Sequence, residues 1–143
     1  MLKSIFIQNY ALIDKVQIDF HSGFSVITGE TGAGKSILLG ALGLILGNRA
    51  DQKTIKDSGK KCIVEGEFSI KHLGLELFFR SNNLDFEEIT ILRREIGKSG
   101  KSRAFINDSP VSLNILKELA EKLVNIHSQH QTLYLGKQDF QLN

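Results

Sequence analysis

The chain has 143 residues, enough for one domain with a real apolar core. A formal net charge of +2 gives no global field to draw nucleic acid, so any such contact must be local. The one cysteine, Cys62, excludes an internal disulfide and a cysteine-based metal cluster, and its strand-like surroundings predict a small buried hydrophobe.

Met1 to Phe6 passes straight into an alternating pattern, with no signal-peptide h-region or cleavage site. The longest apolar run, Ile37 to Leu46, is about half of the roughly 20 residues that a membrane span needs. Together these predict a soluble cytoplasmic protein with no membrane partner. Residues 2–8 read as a strand with Ile5 and Ile7 on one face and Phe6 on the other. Asn9 and Tyr10 are expected to turn. Val16, Ile18 and Phe20 alternate with polar residues, as in a half-buried strand. His21-Ser22-Gly23 is a turn into residues 24–28, whose apolar, β-rich run predicts a buried parallel strand.

Residues 29–36 then read Gly29, Glu30, Thr31, Gly32, Ala33, Gly34, Lys35 and Ser36, which fits the P-loop pattern G-x-x-x-x-G-K-[ST]. The glycines allow the backbone to come close to an anion, and successive N–H groups of such a turn form an anion-binding nest. A helix starting near Gly34 adds its unpaired N-terminal donors. Lys35 is placed to reach the β- and γ-phosphates, and the Ser36 hydroxyl to ligand Mg²⁺. Residues 36–46 are apolar nearly all round, which predicts a buried helix, and Gly47-Asn48 supplies its C-terminal stop. Strand, loop and helix thus come in the order the motif requires. Two strands precede the loop as a hairpin, and neither N-K-x-D nor D-x-x-G occurs, so a GTPase is disfavoured.

Residues 49–61 read as an irregular polar loop. Cys62 to Ile70 predicts a strand with Val64, Phe68 and Ile70 inward. Residues 71–83 suggest a short helix packing through Leu73, Leu77 and Phe78, with His72 at the surface. Ile89 to Ile96 and Ser102 to Ile106 read as strands joined by a turn at 97–101. Asn107-Asp108 forms a two-residue hairpin turn leading to Pro110-Val111, so the strands should form an antiparallel meander. Arg93, Arg94, Lys98, Lys101 and Arg103 face one acid, Glu95. They suit either a DNA or phosphate contact or, in the preferred reading, an edge hairpin kept soluble by its charges. Ser112 is an N-cap, followed by an amphipathic helix carrying Ile115, Leu116, Leu119, Ala120, Leu123 and Val124. A polar cluster at residues 125–131 follows. Its histidines, His127 and His130, lack a third candidate zinc ligand. Its glutamines are the better clue, because a glutamine ending a strand can reach a P-loop-bound Mg²⁺ and the γ-phosphate.

Five segments together resemble the N-terminal head segment of the SMC-like ATPases of bacterial DNA repair, within the wider ABC ATPase class. They are L-x-x-I-x-I-x-N-Y-A-L-I (Leu2 to Ile13), the P-loop, A-L-G-L-I-L-G-N-R-A (Ala41 to Ala50), S-R-A-F-I-N-D (Ser102 to Asp108) and I-H-S-Q-H (Ile126 to His130). The resemblance implies an α/β P-loop NTPase lobe with a mixed sheet, antiparallel strands joining the P-loop strand and helix. It implies that Gly29 to Ser36 bind ATP and Mg²⁺ and that Gln129 is the Q-loop glutamine, sharing the Mg²⁺ with Ser36. Ser128 and Asp108 stand where the family more often has glycine. Asp tolerates the left-handed turn.

A Walker B carboxylate pair and an L-S-G-G signature are absent from this sequence. In the family resembled they lie beyond a coiled coil, in a C-terminal head segment. Residues 1–143 are therefore expected to be one half of a head, a single domain ending before the coiled coil. The implied partners are that C-terminal segment, a second protomer in a homodimer, and DNA at the nucleoid. Alone, the half should show negligible ATP turnover, and it should tend to self-associate through apolar sheet surface. The implied activity is ATP-gated head dimerisation in double-strand-break repair and recombination. Alternatives are a P-loop kinase-like phosphotransferase or a non-catalytic DNA-binding or dimerisation module.

Overall fold

The computed structural model describes residues 2–20 and 32–123, with the backbone alone for residues 32–35. The expected turn at 21–23, the strand at 24–28, Gly29 to Thr31, Val124 and the cluster at 125–131 lie outside the described residues.

Strict alternation of apolar and polar residues builds the first hairpin. Strand β1 (Leu2–Tyr10) pairs antiparallel with β2 (Ile13–Asp19), Ile5 opposite Ile18 and Ile7 opposite Val16. Ile5 and Ile7 are buried and Phe6 is half-buried, as the alternation predicts. The turn falls at Ala11-Leu12 rather than at Asn9-Tyr10. Asn9 stays in the strand at φ 57 because its amide is fully used. It accepts from the Asp57 N–H at 2.8 Å and donates to the carbonyls of Asp57 and Lys60 at 2.9 and 3.0 Å. A buried Asn so satisfied fastens the 57–60 loop to the sheet.

The described strands form one antiparallel sheet in the order β2-β1-β3-β4-β5-β6. Its members are β3 (Cys62–Ser69), β4 (Ile89–Ile96), β5 (Ser102–Ile106) and β6 (Ser109–Val111). The meander β4-β5-β6 is where the sequence places it. Asn107 and Asp108 adopt φ 49 and 68, the pair of left-handed residues that a type I′ hairpin turn requires. One cross-strand row runs Val16, Ile7, Val64, Arg94, Ala104, Val111, and this row faces the core. The opposite face carries Gln17, Phe6, Glu65, Arg93, Phe105 and Pro110.

Helix α1 (Gly32–Ile45) packs on β3 and β4. It starts two residues before the expected Gly34. Leu38, Ala41, Leu44 and Ile45 are buried, whereas Leu39 is 56% exposed, so the helix is not buried all round. Hydropathy gave every leucine the same reading, but the sheet covers only one side. Gly66 allows the close approach, since a methyl there would overlap Ile45 Cδ1.

The stop at Gly47-Asn48 is a Schellman motif. Asn48 N–H donates to Gly43 O at 2.9 Å and Gly47 N–H to Leu44 O at 3.2 Å, with Gly47 at φ 98. A Cβ at Gly47 would also sit 2.9 Å from Lys117 Cβ and 3.1 Å from its Cα. Gly47→Ala is therefore expected to cost ~2 kcal/mol, left-handed strain plus crowding, read as a lower urea midpoint at unchanged slope.

Helix α2 (Glu76–Ser81) is shorter than the expected 71–83. His72 at φ 68 and Gly74 at φ 72 keep the chain out of the helical region until Leu75. That delay rotates the face: Phe79 is fully buried and Leu77 is 67% exposed, the reverse of the sequence expectation for Leu77. Leu73 and Phe78 pack at the margin, and His72 is exposed as read. Helix α3 covers residues 113–123 of the described chain. Ser112 Oγ accepts from Ile115 N–H at 3.2 Å, and Leu116, Leu119, Ala120 and Leu123 point into the core. Lys122 lies 5.7 Å over the Phe78 ring, joining α3 to α2.

Candidate functional site

The first turn of α1 consists of Gly32, Ala33, Gly34 and Lys35, with Ser36 exposed immediately after it. The first four N–H groups of any α-helix lack an intrahelical acceptor, and the dipole makes that end positive. No acidic side chain stands in the first turn of α1, so nothing on the helix cancels that field. Main-chain amides at this end, with a lysine and a serine next in sequence, have the chemistry suited to phosphate oxygens and a hard divalent cation. This is the fit expected for a nucleotide phosphate with Mg²⁺. Gly29, Glu30, Thr31 and Gln129 lie outside the described residues, as do His127 and His130.

The opposite end of α1 is held by a residue whose role the sequence reading missed. Arg94 is 1% exposed. Its Nη1 donates to the carbonyls of Leu44 and Asn48, each at 2.8 Å. Its Nε and Nη2 donate to Ser102 Oγ at 3.1 and 2.8 Å. Burial lowers the Arg94 pKa from its usual value, yet guanidinium stays charged at neutral pH. A cation there also meets the negative end of the helix dipole. The signal was present in the alternation Thr90, Leu92, Arg94, Ile96, which puts Arg94 on the inward face.

The basic segment 93–103 is therefore neither one patch nor an edge hairpin. Strand β4 lies inside the sheet, between β3 and β5. Arg93 is on the outward face, 3.2 Å from Glu65, 3.3 Å from Glu95 and 3.4 Å from Asp108, and stacks 4.5 Å over Phe105. Lys98, Lys101 and Arg103 remain exposed. Asp85, Glu87 and Glu88 are exposed in the loop before β4. Among the described residues no three His, Cys, Asp or Glu side chains gather as a metal site.

Cys62 is buried, and desolvation pushes its thiol up to about 11. At pH 8 about a thousandth of it would be thiolate, against roughly a quarter for a free cysteine. Native protein should accordingly react with a thiol reagent at least ~100-fold more slowly than urea-unfolded protein. Equal rates would show that Cys62 is accessible.

A family model described as an AAA domain matches residues 4–143. The chain belongs to the AAA domain family. This AAA domain is 42% identical over 144 residues to the DNA repair protein RecN of Vibrio cholerae, covering 100% of this chain and 26% of that protein. It is 34% identical over 137 residues to the DNA repair protein RecN of Bacillus subtilis, covering 94% of this chain and 24% of that protein. The chain spans about a quarter of the length of these curated relatives. Among solved structures, one described as the structural biochemistry of ATP-driven dimerization and DNA stimulated activation of SMC ATPases superposes with a TM-score of 0.68. It is 19% identical, and the match covers 85% of this chain and 78% of that one. The SMC head domain from Thermotoga maritima gives a TM-score of 0.53 at 17% identity, over 82% of this chain and 41% of that one. The AAA domain thus has the fold of the N-terminal lobe of an SMC-type or ABC-type P-loop ATPase head. The resemblance read from the five motifs is borne out.

In the described part of this lobe every strand pairing is antiparallel. The parallel strand that would make the sheet mixed was assigned to residues 24–28, which lie outside the described residues. No helix among the described residues is long and apolar enough to cross a membrane.

Proposed function

We propose that residues 1–143 are the nucleotide-binding N-terminal half of the head of a RecN-type, SMC-like ATPase that acts in DNA double-strand-break repair and recombination. The observation that supports this best is the P-loop sequence running into the first turn of α1, free of acidic side chains, within an SMC-head fold. In this reading the amides of Gly29 to Ser36 cradle the phosphates of ATP, and Glu30, Thr31 and Ala33 contribute backbone rather than side chain. Lys35 neutralises the β- and γ-phosphates, while Ser36 and Gln129 hold Mg²⁺. The metal, when bound, offsets negative charge between those phosphates.

Gln129 would register whether a γ-phosphate is present. Two nucleotides sandwiched between two such heads would hold a homodimer, which loss of the γ-phosphate releases. The C-terminal head segment of the same protein supplies the carboxylates and signature donors that this chain lacks. DNA is the substrate of the whole protein, and the cytoplasm at the nucleoid is its compartment.

Calorimetry of Mg·ATP into the chain tests the reading. Saturable heat is expected, with ATP turnover near background until the C-terminal head segment is added. No heat at millimolar ligand would exclude a working P-loop. Robust turnover by the 143 residues alone would refute the half-head assignment.

A further inference from the structure

Arg94 projects from the middle of β4 in the core-facing row, between Val64 and Ala104. It is the one fully buried charged side chain among the described residues, and the helix it grips carries the P-loop lysine at its other end. Two further contacts of α1 with the sheet, among the described residues, are steric. Gly66 admits Ile45, and the Tyr10 hydroxyl sits where a side chain at Gly40 would be. Such contacts set how closely the helix approaches but resist sliding along its axis weakly. Directional hydrogen bonds to Leu44 O and Asn48 O do resist it. Ser102 Oγ, accepting from Nε and Nη2, fixes the plane of the guanidinium and so the direction of those bonds. An α-helix of 14 residues is stiff along its length, so a displacement of its C-terminal end is passed to its first turn.

We propose that Arg94, oriented by Ser102, is a positioning residue that fixes the axial placement of α1 and thereby the aim of the Gly32 to Lys35 amides at the phosphates. The proposal rests on the nucleotide reading above. Lysine at position 94 keeps the charge but loses the planar fork, and its three donors cannot reproduce the four in-plane hydrogen bonds that the guanidinium makes to two carbonyls and Ser102 Oγ. Displacements of a few tenths of an ångström are enough to matter where donors must converge on one ligand.

The test uses Arg94→Lys and Ser102→Ala, with Leu116→Ala in α3 as a control that removes core packing and none of the clamp's hydrogen bonds. Two quantities are read at a temperature where each variant is folded. One is the backbone amide chemical shifts of Gly32 to Lys35 without nucleotide; the other is the Kd for Mg·ATP. Arg94→Lys and Ser102→Ala are expected to move those shifts and to weaken Mg·ATP roughly 3- to 10-fold. Leu116→Ala should melt at lower temperature with both readings unchanged. Ser102 is an exposed residue, so its variant keeps the test open should Arg94→Lys fail to fold. Variants that melt early yet keep wild-type shifts and Kd would overturn the proposal, leaving Arg94 a purely structural cap. Shifted amides in the two variants, together with a wild-type chain that binds no Mg·ATP, would uphold the mechanical clamp and sink the nucleotide reading instead.

Discussion

Lys35→Ala is expected to weaken Mg·ATP binding about 100-fold. The estimate follows from the chemistry of one ammonium facing two phosphates. A hydrogen bond to a charged group contributes about 1.5–3 kcal/mol, and 2.7 kcal/mol corresponds to a factor of about 100 in Kd. Binding should not vanish, because the main-chain amides at the start of α1 and the positive end of its dipole persist in the variant. Calorimetry on wild type and variant under the same salt gives the comparison. An unchanged Kd would mean that the loop is a structural turn and that nucleotide, if bound, sits elsewhere. This result also separates the ATPase reading from that of a DNA-contacting module, for which Lys35 is one surface charge among many.

Phe79→Ala should be the most destabilising single truncation in α2, at ~3–5 kcal/mol. Phe79 is fully buried and meets Phe78 edge-on at 5.9 Å and Phe86 edge-on at 5.4 Å, so its removal leaves a cavity and breaks two aromatic contacts. A domain of ordinary stability has about 5–15 kcal/mol in total, so this one change could leave a large unfolded fraction. Leu77→Ala, two positions away and 67% exposed, should stay within ~0.5 kcal/mol of wild type. Urea denaturation of the two variants side by side tests the assignment of faces. A loss at Leu77→Ala as large as that at Phe79→Ala would mean that Leu77 is buried, as the sequence spacing suggested.

That contrast shows where local pattern was enough. The strands at 89–96 and 102–106, the I′ turn between β5 and β6 and the Ser112 cap were read at their observed positions. Each is specified by residues within a few positions of one another. The Gly47 stop belongs with them, since a Schellman motif needs only a glycine that accepts positive φ. Asn9 and α2 were misread for a common reason. Asn9 looks like a turn former until the 57–60 backbone, some 50 residues away, takes up its amide. The 71–83 segment looks helical until two left-handed residues shorten it.

The family was legible from sequence because its motifs, the P-loop pattern among them, are contiguous runs whose spacing needs no tertiary contact to be read. The antiparallel meander was legible too, because period-two alternation is a property of each strand alone. Tertiary structure decided what Arg94 does. Its charge made it look like part of a basic surface, and only the stacking of α1 on the sheet brought two helix-end carbonyls within reach of a buried guanidinium. Side-chain chemistry along a strand follows from sequence order, but the partner that satisfies a buried charge depends on how layers distant in the chain come together.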